Sequence, residues 1–127
     1  MGKWSPMTSE WTDTERQLLE LQARLCHVLA SPKRLEILYT LARGEMTAGE
    51  LARAVDTTTA NLSQHLALMR QYGLVASRKE GLNVYYRLAS REILEACQAV
   101  RQVLLDHLRR NARLAAESDA NPPHERP

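Results

Sequence analysis

The sequence predicts a mainly α-helical chain with one small β-hairpin, in the order α-α-α-α-β-β-α. Three observations predict it. Apolar residues recur at helical spacing in five stretches. The capping signals Thr12-x-x-Glu15, Ser31-Pro32 and Thr47-x-x-Glu50 open three of those stretches. Between residues 74 and 88 the spacing gives way to two short runs rich in β-branched and aromatic residues, parted by Glu80-Gly81-Leu82-Asn83.

The elements follow in order. Residues 1–11 hold Trp4, Pro6 and Trp11 without periodicity and read as a flexible arm. A first helix starts at the Thr12 capping box and carries Leu18, Leu21, Leu25, Val28 and Leu29 at helical spacing. Ser31 caps a second helix with Pro32 at its first position; it shows Leu35, Ile37, Leu38 and Leu41 and stops at Gly44, read as its C-cap. Thr47 and Glu50 open a short third helix over residues 48–55, with Leu51 and Val55 inward. The polar turn Asp56-Thr57-Thr58-Thr59 leads into a fourth helix over residues 59–72, whose buried stripe is Leu62, Leu66 and Met69 at i, i+4, i+7. The hairpin strands cover residues 74–79 and 84–88. A long last helix over residues 90–115 carries Ile93, Leu94, Cys97, Val100, Leu104 and Leu108 on one stripe. Residues 116–127 are polar, contain three prolines and read as a disordered tail. One folded domain is thus expected over residues 12–115.

Composition narrows the class. Apolar residues make up 44% of the 127, enough for a core. No apolar run approaches the ~20 residues of a membrane span, and the N-terminus lacks a signal-peptide layout, so a cytoplasmic chain is expected. Cys26 and Cys97 are too few for a disulfide scaffold and too dispersed for a zinc knuckle. Residues 31–91 hold nine Lys and Arg against five Asp and Glu, whereas each flank is slightly acidic. The basic excess lies where a phosphate-facing patch would need it.

This order of elements reads as a winged helix-turn-helix. In that arrangement a short helix braces a turn, and the next helix enters the major groove of DNA with its first residues at the base edges. The face opposite Leu62, Leu66 and Met69 carries Thr59, Ala60, Ser63, Gln64, Ala67 and Gln71. Gln64 or Asn61 can pair donor and acceptor with adenine, and Ala60 or the Thr59 methyl can touch a thymine methyl. The hydroxyls of Thr57 and Thr58 and the free amides at the helix start suit phosphate. Arg70, Arg78 and Lys79 add positive charge at the helix end and the hairpin, and Thr47 and Asn83 complete the candidate DNA-contacting set. The competing reading makes these positions merely solvated.

Three blocks resemble one family, and they cover about residues 15–110. Residues 25–38, LCHVLASPKRLEIL, look like the LxxLADPTRLRIL opening of the ArsR/SmtB family. Residues 61–70, NLSQHLALMR, resemble its xVSxHLxxLR recognition helix, and residues 73–88, GLVASRKEGLNVYYRL, its GLVxxRREGRxVYYRL wing. The resemblance implies a homodimer joined through the first and last helices. It also implies a repressor that binds an operator and is released by a metal ion or a redox signal. His65 resembles the ordinary histidine of the family's recognition helix rather than a metal ligand.

The family's metal sites are not matched. Its arsenic and cadmium sensors carry Cys-x-Cys at the start of the third helix, where Thr47 and Gly49 stand here. Its zinc sensors use Asp-x-His and His-x-x-His/Glu on the last helix, where Arg91, Ile93, Leu104 and His107 stand here. One imidazole does not make a four-coordinate site, so no metal site is expected. The family's redox sensors place their cysteines at positions matching Tyr39 and about Leu105. Cys26 and Cys97 therefore carry three open readings: small buried apolar residues, a reversible dithiol switch, or soft thiolate ligands for a thiophilic metal or As(III). Arg24 and His27 beside Cys26 and Arg101 after Cys97 would favour the thiolate form.

The expected function is a homodimeric repressor on an inverted-repeat operator, released by a redox or thiophilic signal at Cys26 and Cys97. The alternative is a winged-helix protein-interaction module without an inducer site, which Leu82 at the wing tip favours. No nucleophile-base-acid set, paired carboxylates or glycine-rich phosphate loop points to an enzyme.

Overall fold

Thr12 opens the first helix as its sequence requires. Its hydroxyl accepts from the Glu15 amide at 3.1 Å while Glu15 Oε1 accepts from the Thr12 amide at 3.1 Å. The computed structural model describes residues 10–120. Eight elements follow: α1 (Asp13–Leu29), α2 (Pro32–Leu41), β1 (Met46–Thr47), α3 (Ala48–Ala54), α4 (Thr59–Gln71), β2 (Val75–Glu80), β3 (Asn83–Leu88) and α5 (Arg91–Ala120). Contacts divide the chain into two units, one ending at Ser90 and the other beginning at Arg91.

In the first unit α3 packs against α2 and α4, and α4 packs against β2. Ile37, Leu38, Leu51, Val55, Leu62, Met69 and Leu74 are fully buried. The stripe Leu62, Leu66 and Met69 is inward as its spacing demands. α2 ends at Leu41 with Ala42 as its C-cap, two residues before the glycine expected in that role. The hairpin strands pair antiparallel from Val75↔Leu88 to Glu80↔Asn83, so Gly81 and Leu82 form a two-residue turn. Gly81 has φ +61°, the left-handed value that a type II′ turn needs at its first central position.

Two turns carry the shape of the domain. Where α4 ends, the Leu74 amide donates to Met69 O at 2.9 Å and the Gly73 amide to Arg70 O at 3.0 Å. With Gly73 at φ +72°, this is a Schellman cap. Where α3 ends, the Thr57 amide donates to Ala52 O at 2.9 Å and the Asp56 amide to Arg53 O at 3.2 Å. The same cap is therefore made there with a non-glycine residue, Asp56 at φ +51°. Asp is among the few residues that tolerate this conformation. Asp56→Gly is expected to raise stability by about 0.5 kcal/mol and Asp56→Val to lower it by about 1–2 kcal/mol. Urea midpoints check this; equal losses in both variants would place the effect in the Asp side chain instead of the backbone.

Two further expectations are corrected. A two-residue strand, β1, joins the hairpin through Met46↔Tyr86 and Thr47↔Tyr85, giving a three-stranded antiparallel sheet in the order β1-β3-β2. Two residues are too few to show a strand period. α5 continues to Ala120, five residues beyond the expected end, so residues 116–120 are helical and not part of a disordered tail. Ala112, Ala115, Ala116 and Glu117 favour helix, and the first breaker is Pro122. The apolar residues of α1 and α5 are largely exposed in the single chain: Leu18 and Leu21 on α1, and Val100, Leu104 and Leu108 on α5. Val28 and Leu94 are buried. The rest of the expected arm and tail, residues 1–9 and 121–127, lies outside the described residues.

Candidate nucleic-acid interface

The start of α4 is built by local chemistry. Thr58 is its N-cap, and its hydroxyl accepts from the Asn61 amide at 3.1 Å. The amides of the first turn lie on the side of the helix that its macrodipole makes positive, a setting that favours phosphate. Thr59, Ala60, Asn61, Ser63, Gln64 and Ala67 are exposed while Leu62, Leu66 and Met69 are buried, so one helix presents a clean polar face. Thr57 is half-buried, and Arg70 is exposed at the opposite end of α4. On the wing, Lys79 and Asn83 are exposed, and Leu82 at the tip is 100% exposed.

Two members of the predicted set are bonded to carboxylates of the chain itself. The Thr47 hydroxyl belongs to the capping box of α3, donating to Glu50 Oε1 at 2.8 Å and accepting from the Glu50 amide at 3.2 Å. The Thr47 amide also donates to Glu50 Oε1 at 2.9 Å, and this bond first, then that of the hydroxyl, holds the Glu50 carboxyl below its ordinary pKa. Arg78 is paired with Glu45 at 2.7 Å and also with Glu80. Its charge is therefore matched by two carboxylates at the surface.

His65 is half-buried and bonded to a side chain of another helix. Arg34 Nε donates to His65 Nδ1 at 3.2 Å, and Arg34 Nη1 donates to Val28 O at 3.0 Å. One guanidinium thus ties α1, α2 and α4 together. The helix-opening motif supplied Arg34, but its partners are distant in sequence and no local pattern announces them. Lys33 ties α2 to the end of α3 by donating to Val55 O, and also donates to Glu36 at 3.2 Å.

Burial above all, and then the charges of Arg34 and Lys33, hold the His65 imidazole below its ordinary pKa. Its Nδ1 accepts a hydrogen bond, so the neutral form is the one the fold uses. The unfolded chain then takes up a proton at a higher pH than the folded one. The stability from this site is complete above the ordinary pKa of 6.5 and is lost as pH falls below it towards the lowered folded value. Melting curves at about pH 7.5 and 5.5 should show the wild type losing more than His65→Asn, which keeps an acceptor and does not titrate. An identical loss in both proteins would remove His65 as the cause.

In the single chain Cys26 is exposed on α1 and Cys97 is half-buried on α5. Val28 is the only buried residue of α1, which explains why most of that helix, Cys26 included, meets solvent. His107 lies 3.2 Å from the Asn111 amide on α5. Among the described residues no three His, Cys, Asp or Glu side chains gather as a metal would need. No described helix is long and apolar enough to cross a membrane.

A helix-turn-helix braced by α3, with α4 presenting a polar face and a three-stranded wing beside it, defines a winged-helix regulator. Comparison with known proteins agrees. The profile of the family described as bacterial regulatory protein, arsR family, matches residues 31–77. The biofilm growth-associated repressor of Agrobacterium fabrum is 40% identical over 81 residues, which cover 61% of this chain and 69% of that protein. An HTH-type transcriptional regulator of Mycobacterium tuberculosis is 33% identical over 111 residues, 87% of this chain but only 49% of its own length. The solution structure of a homodimeric winged helix-turn-helix DNA-binding domain from Mycobacterium bovis, a possible ArsR-family regulator, has a TM-score of 0.70 at 33% identity, with 79% of this chain and 93% of that one covered. The chain belongs to the arsR family of bacterial regulatory proteins, a family of transcriptional regulators rather than enzymes.

Proposed function

We propose that the protein is a homodimeric transcriptional repressor that reads an inverted-repeat DNA operator with α4. The observation that carries this is the polar face of α4, with Thr59, Ala60, Asn61, Ser63 and Gln64 exposed around its capped start. In this reading Gln64 and Asn61 read base edges, and Thr57, Thr58, Arg70, Lys79 and Asn83 position the backbone. Self-association is supported by the exposed leucines of α1 and α5 and by the homodimeric relative. A dimer sets two recognition helices about 34–36 Å apart, which fits successive major grooves and requires a palindromic site. A repressing direction is supported by the Agrobacterium relative.

Release by a redox or thiophilic signal at Cys26 and Cys97 completes the proposal. The exposure of Cys26 supports it, since an oxidant or soft ion can reach that thiol directly. An inducer works if it favours one spacing of the recognition helices over another by a few kcal/mol.

The test starts from duplexes selected out of a random pool and measured by fluorescence anisotropy. Ser63→Ala and Gln64→Ala together are expected to cost about 2 kcal/mol on the selected duplex and little on random DNA. Unchanged affinity would remove α4 from its assigned role. Oxidised, cadmium-treated and arsenite-treated protein, each beside Cys26→Ser and Cys97→Ser, decides the signal. A second reading, a protein-interaction module, draws on the fully exposed Leu82 and the matched charge of Arg78. A chain with no salt-dependent affinity for any duplex would favour it.

A further inference from the structure

Arg78 stands where a wing would offer a cation to the DNA backbone, yet its fork is engaged by two carboxylates at the protein surface. Its Nε lies 3.0 Å from each carboxylate oxygen of Glu45, and its Nη2 lies 2.7 Å from Glu45 Oε1. Its Nη1 donates to Glu80, and its guanidinium carbon sits 4.6 Å from the centre of the Tyr85 ring. Tyr85 is the partner of Arg78 in β3 and also the partner of Thr47 in β1. Thr47 in turn caps α3. One chain of contacts therefore runs from the wing through Arg78 and Glu45 to the cap of α3, the helix that precedes the turn and α4.

The sheet alone holds this junction weakly. β1 pairs with β3 over two residues only, too short a ladder to fix the angle of a hairpin. A planar fork on a carboxylate adds the missing geometric constraint. The Glu45 carboxyl is held below its ordinary pKa chiefly by its hydrogen bonds with Arg78, so it is ionised wherever the protein works.

We infer that Arg78 is a positioning residue: with Glu45 it fixes the wing against the helix-turn-helix, and it does not bind phosphate. The inference rests on the DNA-binding reading above and deepens it, leaving the exposed Lys79 as the phosphate-facing cation of β2.

The two roles predict opposite results. Affinity of the full chain for its selected duplex is measured across a salt series for the wild type, Glu45→Gln, Arg78→Gln, Arg78→Lys, the Glu45→Gln/Arg78→Gln double variant and Lys79→Gln. For a positioning pair, Glu45→Gln and Arg78→Gln each weaken binding about three- to tenfold, and the double variant is no worse than the singles. The slope of log affinity against log salt stays unchanged in all three, whereas Lys79→Gln lowers it by about 0.9. Arg78→Lys fails to rescue, because an ammonium cannot match a carboxylate with a fork. A phosphate ligand gives the reverse: Arg78→Gln lowers the slope, Arg78→Lys retains affinity, and Glu45→Gln tightens binding by freeing the cation. That set of results overturns the inference. Amide hydrogen exchange supplies a readout without DNA. Faster exchange at Thr47 and Tyr86 in Glu45→Gln, with an unchanged melting temperature, supports the pair as a strut, and unchanged exchange overturns it. A wild type that binds no duplex would end the DNA-binding reading while leaving the exchange result decisive for the strut.

Discussion

Leu51→Ala is expected to lower the unfolding free energy by about 3 kcal/mol. Leu51 is fully buried on α3, the short helix that packs against both α2 and α4. Truncation there removes several methylenes from van der Waals contact and leaves a cavity. The surroundings can collapse only partly, because α3 is pinned at one end by its capping box and at the other by the Asp56 cap. Domains of this size have about 5–15 kcal/mol in total, so the loss is a large share. Denaturant unfolding at one fixed protein concentration measures it, since self-association would otherwise shift the midpoint. A loss below about 1 kcal/mol would mean that the site repacks freely and that α3 is not the brace described above.

Leu108→Glu on α5 is expected to abolish dimerisation and to weaken binding to an inverted repeat by at least about two orders of magnitude. Val100, Leu104 and Leu108 are exposed at i, i+4, i+8 on one helix face. A repeated apolar stripe left open to water differs from a single surface leucine and suits the self-association proposed above. Each such side chain contributes about 1.5–3 kcal/mol when covered. A carboxylate at that place in a dimer would be desolvated without a partner. The loss of DNA affinity follows because two linked half-site contacts become two separate ones. Mass by light scattering and anisotropy on the selected duplex check the two halves of the prediction. A variant that keeps the wild-type mass would show that the α5 stripe is not the interface, and a monomer with full affinity would show that one subunit suffices.

Much of the domain is written locally in the sequence. The capping boxes of Thr12 and Thr47 and the Ser31 cap act over three residues, so their positions can be read without knowing the fold. The stripe Leu62, Leu66 and Met69 follows from the helical period alone. The hairpin was legible from Gly81 and the β-rich runs beside it, with strand ends moved by one residue. The candidate DNA-reading residues of α4 are exposed because the same period that buries one face turns the other outward.

What was hidden depends on partners far apart in the chain. β1 exists because Met46 and Thr47 meet Tyr86 and Tyr85, and no two-residue segment announces such a meeting. Arg34 reaches His65 across 31 positions, and Arg78 reaches Glu45 across 33. The charge of Arg78 was evident in the sequence, but whether that charge is open to DNA depends on the carboxylates the sheet brings beside it. Likewise the spacing of leucines in α1 and α5 showed two amphipathic helices without showing that the chain leaves those faces uncovered. Helical period and caps are short-range effects that a sequence states outright. Charge pairing and coverage are long-range effects, and only the tertiary structure decides which groups meet.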